Sequence, residues 1–309
     1  MRRINFMGAD GWALENEALS AVVLPAHGGK VASIIYRPRG FELLFQNPKG
    51  VFRRAGRGDD FSMFEACGFD EAFPTVDACV FETAGETLSY PDHGELWSAA
   101  FEPKMDGGGI LLSYHSPVLG YRYEKRFSLE DERLVCRYRI ENPTGRDLPA
   151  LWVCHLLVRC EPDMRLLLPP GVMQVQNVFS SDWLGQRRAL LSWPLAEGPR
   201  GQVDLSRMPP DGQLKYYVRG RVRAGQCGYE YPRSGVRALL CYDPDKLPYL
   251  GFWATAGGYR GDVNCALEPA NGYFDNIPTA QSFGACPVLR AGETWDFSLA
   301  VAVSEIMRE

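Results

Sequence analysis

The sequence predicts an all-β chain, a large antiparallel sandwich, and three observations carry that prediction. Gly (32) and Pro (22) together make up about one residue in six of the 309, a density that interrupts helices before they reach typical length. The runs between them mostly alternate apolar and polar residues with period two, as half-buried strands do. No segment carries a convincing amphipathic helical pattern. Many strands joined by short turns make a large antiparallel sandwich or barrel.

In chain order, residues 18–24 and 30–36 read as strands, with Gly28-Gly29 as a turn between them. Residues 79–83, 95–101 and 110–114 follow. Tyr121, Tyr123, Lys125, Phe127 and Leu129 then alternate with Arg122, Glu124, Arg126, Ser128 and Glu130. Leu134, Cys136, Tyr138 and Ile140 alternate with Val135, Arg137, Arg139 and Glu141. Further strand candidates are 151–158, 214–222, 236–242, 250–254 and 263–267. Trp295, Phe297, Leu299, Val301 and Val303 form a last alternating face. Residues 172–212 read as long loops with some strand, and loops of that size often border a site. No repeat, low-complexity segment or linker divides the chain, so a single domain over 1–309 is expected.

Charge and cysteine usage exclude several function classes. Net charge is -5, and the only basic cluster is Arg53-Arg54 with Arg57, which argues against nucleic acid as a partner. Nine Cys stand at 67, 79, 136, 154, 160, 227, 241, 265 and 286, none as Cys-x-x-Cys. That pattern is neither a zinc knuckle nor a secreted disulfide framework; buried free thiols in a reducing compartment are the simpler reading. The segment Met1 to Phe6 lacks the apolar stretch of a signal peptide, and no run approaches a membrane span. A soluble cytoplasmic protein without a membrane partner is the expectation. Antiparallel strands leave sheet edges that a homodimer could cover.

The stretch Asn264-Cys265-Ala266-Leu267-Glu268-Pro269-Ala270-Asn271-Gly272-Tyr273-Phe274-Asp275 holds the first chemical candidate. Pro269 supplies no amide and biases its predecessor toward extended geometry, so Glu268 is expected at a strand end where a loop opens. Partial desolvation by apolar neighbours would raise its pKa toward values useful for proton transfer. A Glu that pairs with an Arg or caps a turn is the alternative. His155, in Leu151-Trp152-Val153-Cys154-His155-Leu156-Leu157-Val158, is either a hydrogen-bonded core histidine or a proton donor. His93, in Pro91-Asp92-His93-Gly94, is either an exposed turn residue or a loop ligand for a polar molecule. His27 and His115 look structural or exposed. Asp70 and Glu71 stand between aromatics and Pro74. Carboxylates with aromatic faces suit a polyol, and solvated turn acids are the alternative. There is no Gly-rich phosphate loop, His-Glu-x-x-His or Gly-x-Ser-x-Gly, and no ligand spacing calls for a metal.

Taken in order, these landmarks resemble the aldose 1-epimerase (galactose mutarotase-like) family. Leu24-Pro25-Ala26-His27-Gly28-Gly29-Lys30 looks like its first hairpin. Glu42-Leu43-Leu44-Phe45 with Asn47-Pro48 looks like the segment that follows, and 68–76 is similar to a loop of some bacterial members. Asp92-His93-Gly94 resembles its first His-Gly motif, His155 falls where its second histidine does, and Leu267-Glu268-Pro269 resembles the stretch of its catalytic glutamate. The resemblance implies a β-supersandwich, no cofactor, and interconversion of the α and β anomers of a free sugar. In that scheme Glu268 is the base at the C1 hydroxyl, His155 the acid at the ring oxygen, and His93 a substrate ligand. Unaided chemistry agrees: mutarotation needs one acid and one base about a hemiacetal, and neither metal nor nucleotide. The family's asparagine-arginine pair before the first histidine is missing, with Asp70 and Glu71 standing in that region. Asp182 and Asp204 are both open as its substrate-binding aspartate. Arg53, Arg54, Arg57 and Arg159 are available should the sugar carry a phosphate.

Two other classes remain open. A non-catalytic carbohydrate-binding sandwich would stack sugars on Trp97, Trp152, Trp253 or Tyr273, of which Trp253 is the preferred substrate contact. A lyase or isomerase of acidic sugars would call for a basic cleft or a metal.

Overall fold

The computed structural model describes residues 1–83 and 85–307. Among them, a 13-stranded and an eight-stranded sheet hold most of the chain. The inward faces of both sheets contribute to one hydrophobic core, with Phe69 and Leu267 from the larger sheet, and Trp152 just before its strand Val153–Leu156, packed with Tyr123, Phe127 and Tyr138 from the smaller. Polar bridges cross this core. Trp152 Nε1 donates to Tyr123 OH at 2.8 Å, and Lys125 Nζ, fully buried, meets Glu71 from the opposite sheet. The all-β expectation holds. No helix among the described residues is long and apolar enough to cross a membrane.

The centre of the larger sheet positions the site. Its strands run in the order Lys30–Tyr36, Phe69–Ala72, Val153–Leu156, Val263–Ala270, Tyr249–Ala256, Gly212–Val218. The histidine strand and the glutamate strand pair at Val153↔Ala270, and the short strand Val158–Arg159 rejoins at Val158↔Cys265. Between those points no ladder bonds are made, and the predicted run 151–158 is broken accordingly.

That opening explains a departure from expectation. Glu268 does not end its strand; the strand continues through Pro269 to Ala270, with Pro269 opposite Leu250. Leu267 and Pro269 are two apart and turn their backbone nitrogens to the same side. Leu267 N–H donates to Tyr229 OH, which reaches across from the other sheet. Pro269 has no N–H to satisfy, so a proline at the opened side costs no hydrogen bond.

Two further elements differ. Residues 95–101 are not a strand. Leu96–Ser98 is a 3-10 turn, and the strand starts later, at Glu102–Asp106. Leu96 and Trp97 are both buried, and a half-buried strand sends successive side chains to opposite faces. A short α-helix, Ile277–Ser282, is also present. Its N-cap Asn276 accepts from Thr279 N at 2.9 Å, and one and a half turns are too few to print a period on the sequence. The strand expected over 214–222 ends at Val218.

Candidate functional site

The strand registers lay the site out as two rows across one face of the larger sheet. Asp70 lies opposite His155. Counting along the glutamate strand from either registered pair puts His155 opposite Glu268 across the unbonded gap. Glu268 lies opposite Gly251, and Gly251 opposite Tyr217. Two residues along each strand, on the same face, comes a second row of Leu157, Ala266, Trp253 and Lys215. Small residues keep the face open. A Cβ at Gly251 would lie 3.0 Å from Glu268 Oε2 and 3.2 Å from the Tyr217 ring.

Over these rows lies a cleft of about 340 Å³, within the range of about 300–1,000 Å³ usual for small-molecule sites. His155, Glu268, Lys215, Trp253, His93 and Asp275 all line it, together with Phe61, Asp77, Phe179 and Tyr259. A larger opening of about 460 Å³ near Arg221 and Trp295 contains none of the histidines or Glu268.

His155 is held from behind. Its Nδ1 lies 2.9 Å from Asp70 Oδ1, and Asp70 Oδ2 lies 2.9 Å from Lys30 Nζ. Lys30 aims its aligned hydrogen bonds at the carbonyls of Cys67 and Glu65. Burial pushes the Asp70 carboxyl up, but the Lys30 ammonium and the His155 ring outweigh it and hold Asp70 well below the ordinary carboxylate range. An ionised carboxylate only accepts, so the imidazole proton sits on Nδ1 and Nε2 is left to exchange with a ligand. The sign of the pH dependence follows. Asp70 stabilises the fold above the unfolded aspartate pKa of about 3.9, and that contribution drains away as pH falls toward its depressed folded value. Asp70→Asn is expected to flatten the acid limb of stability, read as urea midpoints between about pH 5 and pH 2. An unchanged acid limb would show that Asp70 is not the paired, ionised group drawn here.

Glu268 is 2 % exposed. Lys215 Nζ lies 3.0 Å from its Oε2 and 2.9 Å from Asp275 Oδ1, and Tyr217 OH donates to Asp275 Oδ1 at 3.0 Å. The Lys215–Glu268 contact is off the hydrogen-bonding direction, so Oε2 is electrostatically compensated yet has no aligned donor. Burial works against the Lys215 charge, but the two carboxylates dominate and raise its pKa. His93 completes the wall from a loop. Its ring stacks on Phe61 with centroids 3.7 Å apart and meets the His155 ring edge-on at 5.4 Å. Its backbone is left-handed, φ 55°, and its N–H donates to Val76 O at 2.6 Å. Its Nδ1 is 3.1 Å from Asp92 Oδ1, at an angle that makes no hydrogen bond. A side chain at Gly94 would strike Phe73 O at 2.0 Å, so the turn that presents His93 requires glycine there.

Of the residues read from sequence, Glu268, His155, His93 and Trp253 meet in the cleft. Asp70 and Glu71 do not face it. They are neighbours on one strand and so point to opposite faces: Asp70 lies behind His155, and Glu71 points into the sandwich, where it accepts from Tyr138 OH at 2.9 Å. Asp182 and Asp204 line no part of the cleft; Asp275, Asp77 and Asp92 are its aspartates. Arg53, Arg57 and Arg159 pair with Glu65, Glu95 and Glu161 instead of lining the cleft. Trp152 and Tyr273 are buried away from it. Sequence reasoning missed Lys215. A lysine between Leu214 and Tyr216-Tyr217 was the available signal, since so apolar a strand buries both faces.

No family model and no curated protein sequence matches the chain. Solved structures do. A protein from Synechocystis sp. PCC 6803 (Slr1438) superposes with TM-score 0.75 at 16% identity, covering 99% of this chain and 100% of its own. A galactose mutarotase-like protein from Lactobacillus casei ATCC 334 gives 0.72 at 15% identity, covering 95% and 100%. A protein of Escherichia coli K12, provisionally named an aldose 1-epimerase, gives 0.71 at 17% identity, covering 96% and 99%. At such identities the likeness is one of fold and leaves activity open. Over nearly its whole length, the chain has the galactose mutarotase-like fold.

Proposed function

We propose that the protein is a cofactor-independent aldose 1-epimerase. One observation carries this reading: His155 and Glu268 stand opposite one another in register across the gap in the sheet, both lining one cleft. Glu268 takes the proton from the C1 hydroxyl. The C1–ring oxygen bond breaks as that oxygen takes the Nε2 proton of the doubly protonated His155 ring, giving the open aldehyde and a neutral imidazole that keeps its Nδ1 proton directed at Asp70. Rotation about C1–C2 and the reverse transfers close the ring on either face. The Asp70 carboxylate stabilises the charge His155 carries when both its nitrogens are protonated, as a buried carboxylate does behind a catalytic histidine. His93, stacked on Phe61, holds a polar edge toward the sugar, and Trp253 offers an apolar face.

A binding-only protein is the second reading, and Lys215 favours it, because its ammonium competes with a sugar hydroxyl for Glu268 Oε2. Polarimetry or NMR exchange on pure α-glucose and α-galactose, extended to a panel of free and phosphorylated aldoses, separates the two. Acceleration over the buffer rate is expected. Binding of a sugar without acceleration of any member would hand the site to the binding reading.

A further inference from the structure

We infer a second ligand site, in which Arg219, Arg221 and Arg223 hold a small diphosphate-bearing molecule. The three arginines alternate with Gly220 and Val222, so they form no contiguous basic run in the sequence. They follow directly on the strand Gly212–Val218. The fold gathers all three into a groove of about 470 Å³ with Pro169, Pro170 and Met173, a size usual for small-molecule sites. This groove shares no lining residue with the cleft of His155 and Glu268.

The positive charge in the groove is uncompensated. Among the described residues, no carboxylate lines it. Arg219 Nη1 donates to the neutral amide oxygen of Gln174 at 2.7 Å, and Arg221 sets its guanidinium 6.0 Å from the Tyr249 ring. Arg223 is exposed. The neighbouring opening of about 460 Å³ shares Arg221 and adds Lys246, Asp245, Glu293 and Asp296. Asp296 is taken by Arg139, so Asp245 and Glu293 balance the two cations there. The excess charge lies in the groove, in a chain whose net charge is -5. The backbone beneath is pinned at two points. Arg219 N–H donates to Gln174 O at 3.0 Å, and Val222 N–H, from a buried residue, donates to Pro248 O at 2.7 Å.

This lining selects the ligand. A guanidinium fork matches two phosphate oxygens at once. Three forks suit a diphosphate, whose charge is spread over several oxygens, whereas a single carboxylate engages only one. Three arginines in a groove of this size are too few for a nucleic-acid footprint. Met173, 71% exposed, gives the organic part of the molecule an apolar contact.

Titration calorimetry of the full chain at low salt tests the site, with inorganic pyrophosphate as the probe and sulfate as the plain-charge comparison. The expected result is one pyrophosphate per chain, bound at least tenfold more tightly than sulfate and weakened by added salt. The double change Arg221→Ala and Arg223→Ala should weaken it at least tenfold with the urea midpoint unchanged, since both side chains are exposed. Glu268→Gln should bind as wild type does. So should Arg133→Ala, which removes the same charge from an exposed position on the other sheet. No saturable binding, equal affinity for sulfate, or an equal loss in Arg133→Ala would overturn the site. Loss in Glu268→Gln would move the anion to the cleft and overturn it as well. Tighter binding of hexaglutamate than of pyrophosphate would give the groove to an acidic protein partner instead. Sugar turnover plays no part in the readout, so the epimerase reading stands or falls separately.

Discussion

Glu268→Gln is expected to remove anomer exchange almost completely, by a factor of about 10²–10⁴. Glutamine preserves the volume and can still contact Lys215, but its amide cannot take the C1 hydroxyl proton. The variant should fold, because Lys215 keeps a counter-ion in Asp275 at 2.9 Å. Sugar affinity should change far less than turnover, so the loss appears in kcat with KM nearly preserved. A Glu268→Gln protein that retains more than about a tenth of the wild-type rate would remove Glu268 as the base.

The largest effect on stability is expected from Lys215→Met. The ammonium is buried between Glu268 and Asp275, both themselves buried. Methionine fills much of the space and leaves two neighbouring carboxylates without their cation. Breaking a buried ion pair from one side costs about 3–5 kcal/mol. Protonating one carboxyl relieves the repulsion, so the gap in urea midpoint between variant and wild type should narrow as pH falls. The wild-type contribution runs the other way at alkaline pH. Because the folded pKa of Lys215 is raised, its stabilisation is complete below the unfolded lysine value of about 10.4 and fades as pH rises through the folded value. A Lys215→Met protein as stable as wild type at neutral pH would mean that the carboxylates find other compensation.

Strands were the most legible part of the sequence. The alternations through 121–141 and 295–303 reappear as Arg122–Glu130, Arg133–Glu141 and Thr294–Glu305, because one face of each packs on the core. What the sequence hid was pairing. Nothing local says that Asp70 will stand behind His155, 85 positions away, or that Asp275 will share a lysine with Glu268. Adjacent acids at 70 and 71 looked like a single feature, yet strand alternation assigns one to the cleft side and one to the core. Pro269 marked a strand end by local rule, and only the opening beside it, with Tyr229 serving the Leu267 amide, makes a proline acceptable there. The lysines held the unread signal. The chain has only six, at 30, 49, 104, 125, 215 and 246, and three of them, Lys30, Lys125 and Lys215, are buried, each against a carboxylate.

The row Asp70, His155, Glu268, Gly251, Tyr217 exists only while four neighbouring pairings keep their count. A slip of one residue in the glutamate strand would turn Leu267 outward and drive Glu268 into the apolar interior. A slip of the Lys215 strand would bury its ammonium there without Glu268 or Asp275. Misaligned sheets are thus penalised by several kcal/mol of stranded charge. The same buried charges disfavour misaligned assembly, so neutral substitutions at Asp70 and Glu268 should slow refolding or make it heterogeneous even where the final fold is reached.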